Sequence, residues 1–393
     1  MPEVRPFAGL VYDSAIAGTI ALLTAPPYDA ISPADHERYL RTSPHNVVRL
    51  ILGDDAGAPA KDRYRRAGET LRTWRARGVL RQLDAPALYP YEFTFVHAGR
   101  ERRVRGVIGE VGLEAQGTGI VPHEGTMPGP IEDRLHLLRQ VRANLSPVYA
   151  MIDGPAPELA GLLEPAMREP AAADVTDESG TRHRLWVMTD GIDAVARAFH
   201  ERTIMIADGH HRFAVALAYR AEMSARFGAG PWDSMMMLLV DAATERPPVL
   251  PLHRVQIGGE PPPVQGHAVR DLGELLAVLD DERLTVGVVT AHDGTIVHRA
   301  RTLSGLPPTV NVLHEQVLAD VSSDALRFLP DAVLAEDAVR TGTATAAYLL
   351  PSTRVEAIRA VLARGGRLPE KSTYFWPKPR TGLVIRPIDG PSN

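Results

Sequence analysis

The order of apolar and polar residues along the chain predicts strands and helices in alternation. Leu88–Val96 and Arg102–Val111 alternate in polarity on either side of a short polar turn, which is typical of two paired strands. Asp233–Asp241 is a largely apolar run that predicts a buried strand, whereas Lys61–Arg77 and Asp133–Asn144 repeat apolar residues with a helical period. The pattern therefore predicts a mixed α/β or α+β protein.

One segment in the middle of the chain combines a strand, a glycine turn and a helix start. The apolar run Thr203–Ala207 predicts the strand, and the residues that follow it are Asp208, Gly209, His210, His211 and Arg212. A helix N-terminus presents main-chain N–H groups and the positive end of the helix dipole, and it therefore binds anions. Cationic side chains oppose the dipole at this end, which indicates that a phosphoryl group binds here. The alternative is a solvated turn, since Asp-Gly is a common turn sequence.

A second candidate lies in an irregular segment rich in Gly and Pro. Val121–Pro130 has no regular period and predicts a loop, which carries His123 and Glu124, and Arg134 lies in the helix that follows. A histidine and a carboxylate in a loop form a candidate acid/base pair, with Glu124 the first choice as general base and Arg134 as an anion clamp. The alternative is a solvated loop with a salt bridge.

The C-terminal region contains the third candidate. Lys371–Lys378 holds two of the three lysines of the chain together with two hydroxyl residues and three aromatic residues. Lys371, Ser372, Thr373 and Lys378 are therefore candidates for phosphate or nucleotide binding. The alternative is a terminal strand whose aromatic residues cover the core, and both interpretations are compatible.

Two further histidine pairs have simpler interpretations. His253 and Arg254 follow Pro251 and predict a short strand with two outward cationic groups. His314 and Glu315 lie in a helical pattern and predict a surface pair.

Composition and missing motifs narrow the possible functions. The 393 residues carry a net charge of −5, which disfavours a nucleic-acid-binding protein. There is no cysteine, which removes thiol chemistry. No apolar run is long enough for a membrane span and no secretory signal is visible, so we expect a cytoplasmic protein. Neither a Walker-type phosphate loop nor a Gly-x-Gly-x-x-Gly sequence after a strand occurs, and no His-Glu-x-x-His sequence is present.

Taken in order, the motifs resemble the family known as domain of unknown function 1015. The matching segments are Pro26–Asp29, Asn46–Leu50, Pro122–Glu124, Asp133–Leu135, Asn144–Pro147, Ala207–Arg212, Lys371–Phe375 and Pro377–Lys378. The resemblance covers nearly the whole chain. Leu368–Glu370 departs from the Met-Pro-Pro that is usual in the family before the lysine.

The Asp-Gly-His-His-Arg motif is also similar to the phosphate-binding motif of the ParB/sulfiredoxin-like fold, which includes free-serine kinases. This resemblance implies a ParB/sulfiredoxin-like core around Asp208–Arg212, elaborated by an N-terminal α/β region. We expect this division at 1–154 and 155–393, with a site drawn from both parts. Sulfiredoxin chemistry requires a cysteine and is excluded.

Together these features predict a phosphotransferase that acts on a phosphorylated small molecule, with nucleotide-dependent, serine-kinase-like chemistry as the first interpretation. His211, Glu124 and His123 are the candidate catalytic residues. ATP or ADP and Mg²⁺ are the implied cofactors, with Asp208 as the candidate Mg²⁺ ligand. A phosphatase on the same site and a non-catalytic nucleotide- or phosphometabolite-binding regulator are the alternatives.

Overall fold

Most of the predicted strands belong to one large mixed sheet. A computed structural model describes residues 3–54, 60–113, 119–126, 128–200, 202–261 and 266–390 of the chain. The chain divides into two compact units. Unit 1 comprises Met1–Pro122, Thr126–Pro247 and Pro377–Asn393, and unit 2 comprises His123–Gly125 and Pro248–Trp376.

Unit 1 contains the elements that carry the Asp-Gly-His-His-Arg motif. Its strands are β1 (Val4–Arg5), β2 (Leu10–Tyr12), β3 (Leu80–Gln82), β4 (Tyr89–His97), β5 (Arg100–Gly112), β6 (Ile120–Pro122), β7 (Ala143–Asn144), β8 (Val148–Ile152), β9 (Ala173–Thr176), β10 (Arg182–Leu185), β11 (Ile204–Asp208) and β12 (Ser234–Asp241). Its helices are α1 (Ser14–Ala17), α2 (Pro33–Thr42), α3 (Val48–Ile51), α4 (Ala60–Ala76), α5 (Pro128–Val141), α6 (Pro157–Met167), α7 (Ile192–Ala198), α8 (His210–Phe227) and α9 (Ala242–Glu245).

Unit 2 follows along the chain. Its strands are β13 (Val249–Leu250), β14 (His253–Gln256), β15 (His267–Val269), β16 (Thr285–His292), β17 (Thr295–Thr302), β18 (Leu326–Leu329), β19 (Ala346–Leu349) and β20 (Tyr374–Phe375). Its helices are α10 (Leu272–Val278), α11 (Thr309–Gln316), α12 (Ala332–Arg340) and α13 (Val355–Ala363). The last strand, β21 (Arg386–Pro387), belongs to unit 1, where it pairs with β7.

The large sheet of unit 1 has the strand order β6-β11-β8-β12-β5-β4-β10-β9, and β1 also pairs with β5. β6 runs parallel to β11 and β8 runs parallel to β12, whereas the other pairs are antiparallel. β12 is buried along its whole length, as expected for an apolar central strand.

A boundary at 154/155, as expected from the sequence, would separate β8 from β11 and β12, with which it pairs.

Helix α8 is held between the sheet and a second helix. Phe213 and Ala216 belong to the apolar core of the sheet. Val215 and Tyr219 lie on another side of the helix and belong to a cluster with Leu138 of α5. Because α8 packs on two sides, the first turn of the helix is fixed relative to the end of β11.

The sheet of unit 2 is antiparallel, with the order β15-β17-β16-β19-β14-β18. β13 and β20 form a separate antiparallel pair. An apolar core that includes Val255, Leu275 and Val339 packs within this unit.

The expectation of a mixed α/β fold is confirmed, and so is the strand–turn–helix around Asp208. The irregular segment predicted at Val121–Pro130 is shorter than expected. Its start belongs to β6 and its end belongs to α5. β6 is held as a strand by its parallel pairing with β11, and three residues are too few for a sequence pattern to predict that pairing. None of the helices in the described parts of the chain could span a membrane.

We predict that Gly106→Ala weakens the sheet of unit 1. A β-carbon at Gly106 of β5 would lie 2.6 Å from the carbonyl oxygen of Leu239 on β12. Overpacking of this kind lowers the free energy of unfolding by about 1–3 kcal/mol. Gly112→Ala on the same strand is the matched control, because its nearest neighbour would be 3.8 Å away. Urea unfolding midpoints measure both variants, and an equal effect of the two would contradict this packing.

Candidate functional site

The end of β11 and the start of α8 are joined by a single glycine. Gly209 has φ +96°, a conformation that side-chain-bearing residues rarely adopt. A β-carbon at this position would also lie 2.9 Å from Nη2 of Arg212. Glycine therefore permits both the sharp turn and the close approach of the guanidinium. Because glycine has no side chain, Gly209 cannot itself cap the start of α8.

The carboxylate of Asp208 is the centre of the site in unit 1. Its Oδ2 lies 2.7 Å from Nη2 of Arg212, and its Oδ1 lies 2.6 Å from Nζ of Lys378. The three side chains are only 12–13% exposed. One carboxylate thus holds two cations beside the N-terminus of an 18-residue helix. This is an arrangement of donors suited to an anion.

Arg212 is held in place by two further contacts. Its Nη1 donates to Oγ of Ser146 at 2.8 Å and to the carbonyl oxygen of Pro147 at 2.6 Å. Together with the bond to Asp208 these contacts use three of the five N–H groups of a guanidinium. The orientation of Arg212 is therefore set by protein atoms before any ligand binds.

Lys378 is positioned by the segment that follows it. Arg380 donates through both terminal nitrogens to the carboxylate of Glu178 at 2.9 and 3.2 Å, and its Nε donates to Oγ1 of Thr24 at 3.0 Å. Thr381 exchanges main-chain hydrogen bonds with Ala25. These contacts anchor the segment of chain that carries the ammonium group.

Two residues of an early turn complete the site. Oδ2 of Asp29 lies 3.5 Å from Nζ of Lys378. The guanidinium of Arg134 lies 4.5 Å from the centre of the Tyr28 ring. The pKa of Tyr28 is raised to about 12, chiefly by burial and also by the charge of Asp29, although the charges of Arg134 and Arg212 oppose the rise. We call this set the Asp208 cluster, and its members are Tyr28, Asp29, Arg134, Ser146, Asp208, Arg212 and Lys378.

The residue opposite Asp208 on the neighbouring strand is a tyrosine. Tyr149 of β8 pairs with Asp208 of β11 and is fully buried. Its hydroxyl has no hydrogen-bond partner among the described residues. Burial raises the pKa of the Tyr149 phenol, and the charges of Asp208 and Glu245 act in the same direction. The group therefore stays a neutral donor, and an unpaired buried hydroxyl calls for a partner such as a ligand or a water.

The two histidines of the motif lie in the first turn of α8. His210 is buried and His211 is partly exposed. Adjacent residues of a helix point about 100° apart, so the two imidazoles face different surroundings. His211 is therefore the more accessible of the two.

The other candidates lie in unit 2, where Glu124 is bound by a loop. Oε1 of Glu124 accepts hydrogen bonds from the N–H groups of Ser372 and Thr373 at 3.1 and 2.8 Å, and Oε2 accepts one from the N–H group of Lys371 at 3.1 Å. The hydroxyl of Thr373 also donates to Oε1, at 2.6 Å. Successive N–H groups that converge in this way form an anion-binding nest, and Lys371 has the positive φ of +55° that such a bend requires. The anion in this nest is a carboxylate of the protein itself.

His123 supports the same loop from the other side. It is fully buried, and its Nε2 lies 2.8 Å from Oγ1 of Thr373. Because Thr373 gives its only hydroxyl proton to Glu124, Nε2 of His123 is the donor. The His123 ring also packs edge-on against Phe375, as the aromatic alternative for this segment predicts.

The sequence predicted the surroundings of Arg254 incorrectly. This residue was expected to point outward, but it is fully buried, and Nη1 donates to the carbonyl oxygens of Leu252 and Lys371 at 2.7 and 3.0 Å. Burial lowers the pKa of Arg254 to about 10, so it stays charged at neutral pH. Its Nε donates to Nε2 of His314, whose pKa burial lowers to about 4. His253 is buried as well. β14 has only four residues, and the pattern of polar and apolar residues in so short a strand does not show that both of its faces are buried.

The structure thus divides the predicted site residues between the two units. Unit 1 brings together Asp208, Gly209, Arg212 and Lys378, with Arg134 joined to them through Tyr28. Unit 2 brings together His123, Glu124, Lys371, Ser372 and Thr373. The sequence indicates no role for Tyr28, Asp29 or Ser146, although all three lie in segments that match the family. Tyr149 lies outside those segments.

The prediction of Mg²⁺ at Asp208 stays a prediction. Both oxygens of this carboxylate are ion-paired. No group of three or more His, Asp or Glu side chains suited to a metal occurs in the part of the chain that the structure describes. Mg²⁺ often binds through one or two carboxylates and the phosphates of its substrate, which requires no such group.

Comparison with known proteins gives a family and several distant structural similarities. A family model described as "Protein of unknown function (DUF1015)" matches residues 4–312, which confirms the family predicted from the motifs. No curated protein matches the chain.

Three solved structures are similar over about two thirds of this chain. A free serine kinase in complex with AMP is 11% identical, with a TM-score of 0.38, over 67% of this chain and 85% of its own. A conserved hypothetical protein from Pyrococcus furiosus is 13% identical, with a TM-score of 0.35, over 66% and 90%. C-terminally truncated SbnI from Staphylococcus aureus is 12% identical, with a TM-score of 0.36, over 68% and 84%. All three similarities are distant.

We predict that Asp208→Asn lowers the free energy of unfolding by about 3 kcal/mol, because it leaves two poorly exposed cations without their shared counter-ion. Asp174→Asn is the matched control. Asp174 pairs with Arg182 in the same sheet, but both side chains are more than 40% exposed, so its loss costs about 1 kcal/mol or less. Urea unfolding of both variants measures the difference. Equal destabilisation would contradict the central role of Asp208.

Proposed function

The chain belongs to the DUF1015 family, and from the geometry of the Asp208 cluster we propose that it is a phosphotransferase acting on a phosphorylated small molecule. The observation that carries this proposal is that Asp208 holds Arg212 and Lys378 side by side at the N-terminus of α8. A guanidinium, an ammonium and a helix N-terminus are the groups that proteins use to bind phosphoryl oxygens.

The donors around Asp208 fit a phosphoryl group better than they fit a protein-only ion pair. Arg212 uses three of its five N–H groups for protein atoms, and the Tyr149 hydroxyl has no partner among the described residues. A phosphoryl group has enough acceptor oxygens to meet these donors together. Asp208 itself would orient the two cations rather than contact the phosphate.

The residues of the cluster also define how a nucleotide would bind. Arg212, Lys378 and the main chain at Gly209 and His210 would hold the phosphates of ATP or ADP, which supplies the phosphoryl group when bound. Asp208 would contact a Mg²⁺ ion that arrives with the nucleotide.

His211 is the proposed general base of unit 1. In the proposed reaction the acceptor hydroxyl oxygen forms a bond to phosphorus, and the bond from phosphorus to the nucleotide oxygen breaks. The hydroxyl proton moves to the imidazole of His211, and the leaving nucleotide keeps the electron pair of the broken bond. Arg212 and Lys378 stabilise the charge on the phosphoryl oxygens during transfer. The role of Glu124 as a base stays a separate proposal, since its oxygens are bound by the loop of unit 2.

Phosphorus NMR tests the proposed function. We predict that the protein with Mg²⁺, L-serine and ATP or ADP forms phosphoserine, and that Lys378→Met slows this reaction about 100-fold or more. Arg81→Met, which removes an exposed cation from β3 of the same unit, is the matched control and retains the rate.

The other outcomes separate the alternatives. Phosphate released from O-phosphoserine without nucleotide would establish a phosphatase on the same site. Binding of nucleotide without turnover of any phosphoryl compound would establish a regulator. Absence of both turnover and binding would contradict the proposal.

The variant Tyr149→Phe gives a second test, because stability and binding should change in opposite directions. Among the described residues the hydroxyl has no partner, so its removal should leave the free energy of unfolding unchanged or raise it by about 1 kcal/mol. If the hydroxyl donates to the phosphoryl group, the same variant should bind ADP about tenfold more weakly. Calorimetric titration and urea unfolding measure the two effects. A variant that binds ADP as the wild type does would exclude Tyr149 from the site.

A further inference from the structure

An apolar cavity of about 70 Å³ adjoins the Asp208 cluster in unit 1. It lies beside α5 and α8, and both arginines of the cluster, Arg134 and Arg212, line it together with Tyr28 and Ser146. The remaining wall is mainly aliphatic and includes Leu137, Val141, Leu145, Val215, Ala216 and Met235.

The walls of this cavity do not offer a second polar site. The six aliphatic residues are each at most 7% exposed. Arg212 and Ser146 are hydrogen-bonded to each other, and Arg134 donates to the carbonyl oxygen of Ile51 at 2.6 Å. Cavities with apolar walls tend to stay dry and to bind apolar groups.

The size of the cavity limits what can enter it. An engineered cavity of about 150 Å³ binds benzene, which has six carbon atoms, so a space of about 70 Å³ holds roughly half as many. A purine ring system is larger than benzene and does not fit. A chain of two or three carbon atoms matches the available volume and polarity.

We propose that this cavity binds a short aliphatic arm of the ligand whose phosphoryl group lies at Arg212 and Lys378. The ligand class is therefore a phosphomonoester, or the alcohol from which it forms, that carries an alkyl group of two or three carbons. This inference rests on the proposed function, because it uses the same phosphate site.

Calorimetric titration with a series of alkyl phosphates tests the inference. The probes are inorganic phosphate and methyl, ethyl, propyl and hexyl phosphate. Each methylene buried contributes about 0.8 kcal/mol, which corresponds to about a fourfold lower Kd. We expect this gain from methyl to ethyl and from ethyl to propyl phosphate, and no further gain for hexyl phosphate.

Two variants test whether the gain in affinity for each added methylene arises in the cavity. Ala216→Leu fills the space, so methyl and propyl phosphate should bind this variant with nearly equal Kd values. Should this variant fail to fold, Val141→Ala enlarges the space and should extend the gain to a longer chain. Ala291→Leu, at an exposed position of β16, is the matched control and should keep the wild-type ratio.

The failure of the inference is distinguishable from the failure of the proposed function. If every alkyl phosphate and inorganic phosphate bind with one Kd, the phosphate site stands and the aliphatic arm is overturned. The aliphatic arm is overturned as well if Ala216→Leu keeps the wild-type ratio between the Kd values of methyl and propyl phosphate. If neither phosphate nor any ester binds, the proposed function fails too.

Discussion

The site of unit 1 depends on one carboxylate shared between two cations. Asp208 ends β11, Arg212 lies one helical turn later, and Lys378 comes from a distant part of the chain. At 12–13% exposure each charge is largely desolvated, so none of the three is favourable without the others. The ion pairs therefore tie three segments together. Gly209 is required for the same reason, because a side chain there would displace the guanidinium.

Unit 2 uses a buried carboxylate in a different way. Glu124 binds three successive N–H groups of the loop at Lys371–Thr373, whereas Arg254 donates to the carbonyl oxygen of Lys371. A negative group meets the donors of the loop and a positive group meets its acceptors, so the peptide dipoles lie favourably between them. This explains how a segment with little regular structure is ordered, and it gives Glu124 and His123 a structural role that does not depend on catalysis.

The parts of the site that are local in sequence could be predicted. The strand, the glycine turn and the helix of Asp208–Arg212 follow from hydrophobic period and from the conformational freedom of glycine. Contacts between distant segments could not be predicted. Nothing near Lys378 indicates that it pairs with Asp208. The burial of Arg254 depends on a loop more than a hundred residues later. That the Tyr149 hydroxyl has no partner in the described part of the chain is a property of tertiary packing alone.

A crystal of the protein soaked in tungstate tests most directly whether Arg212 and Lys378 form one anion site. Tungstate is a tetrahedral anion with a strong anomalous signal, so its position can be found without assuming a substrate. We predict an anomalous peak within hydrogen-bond distance of both the Arg212 guanidinium and the Lys378 ammonium, at the N-terminus of α8. Tungstate bound only elsewhere, with this position empty, would contradict it.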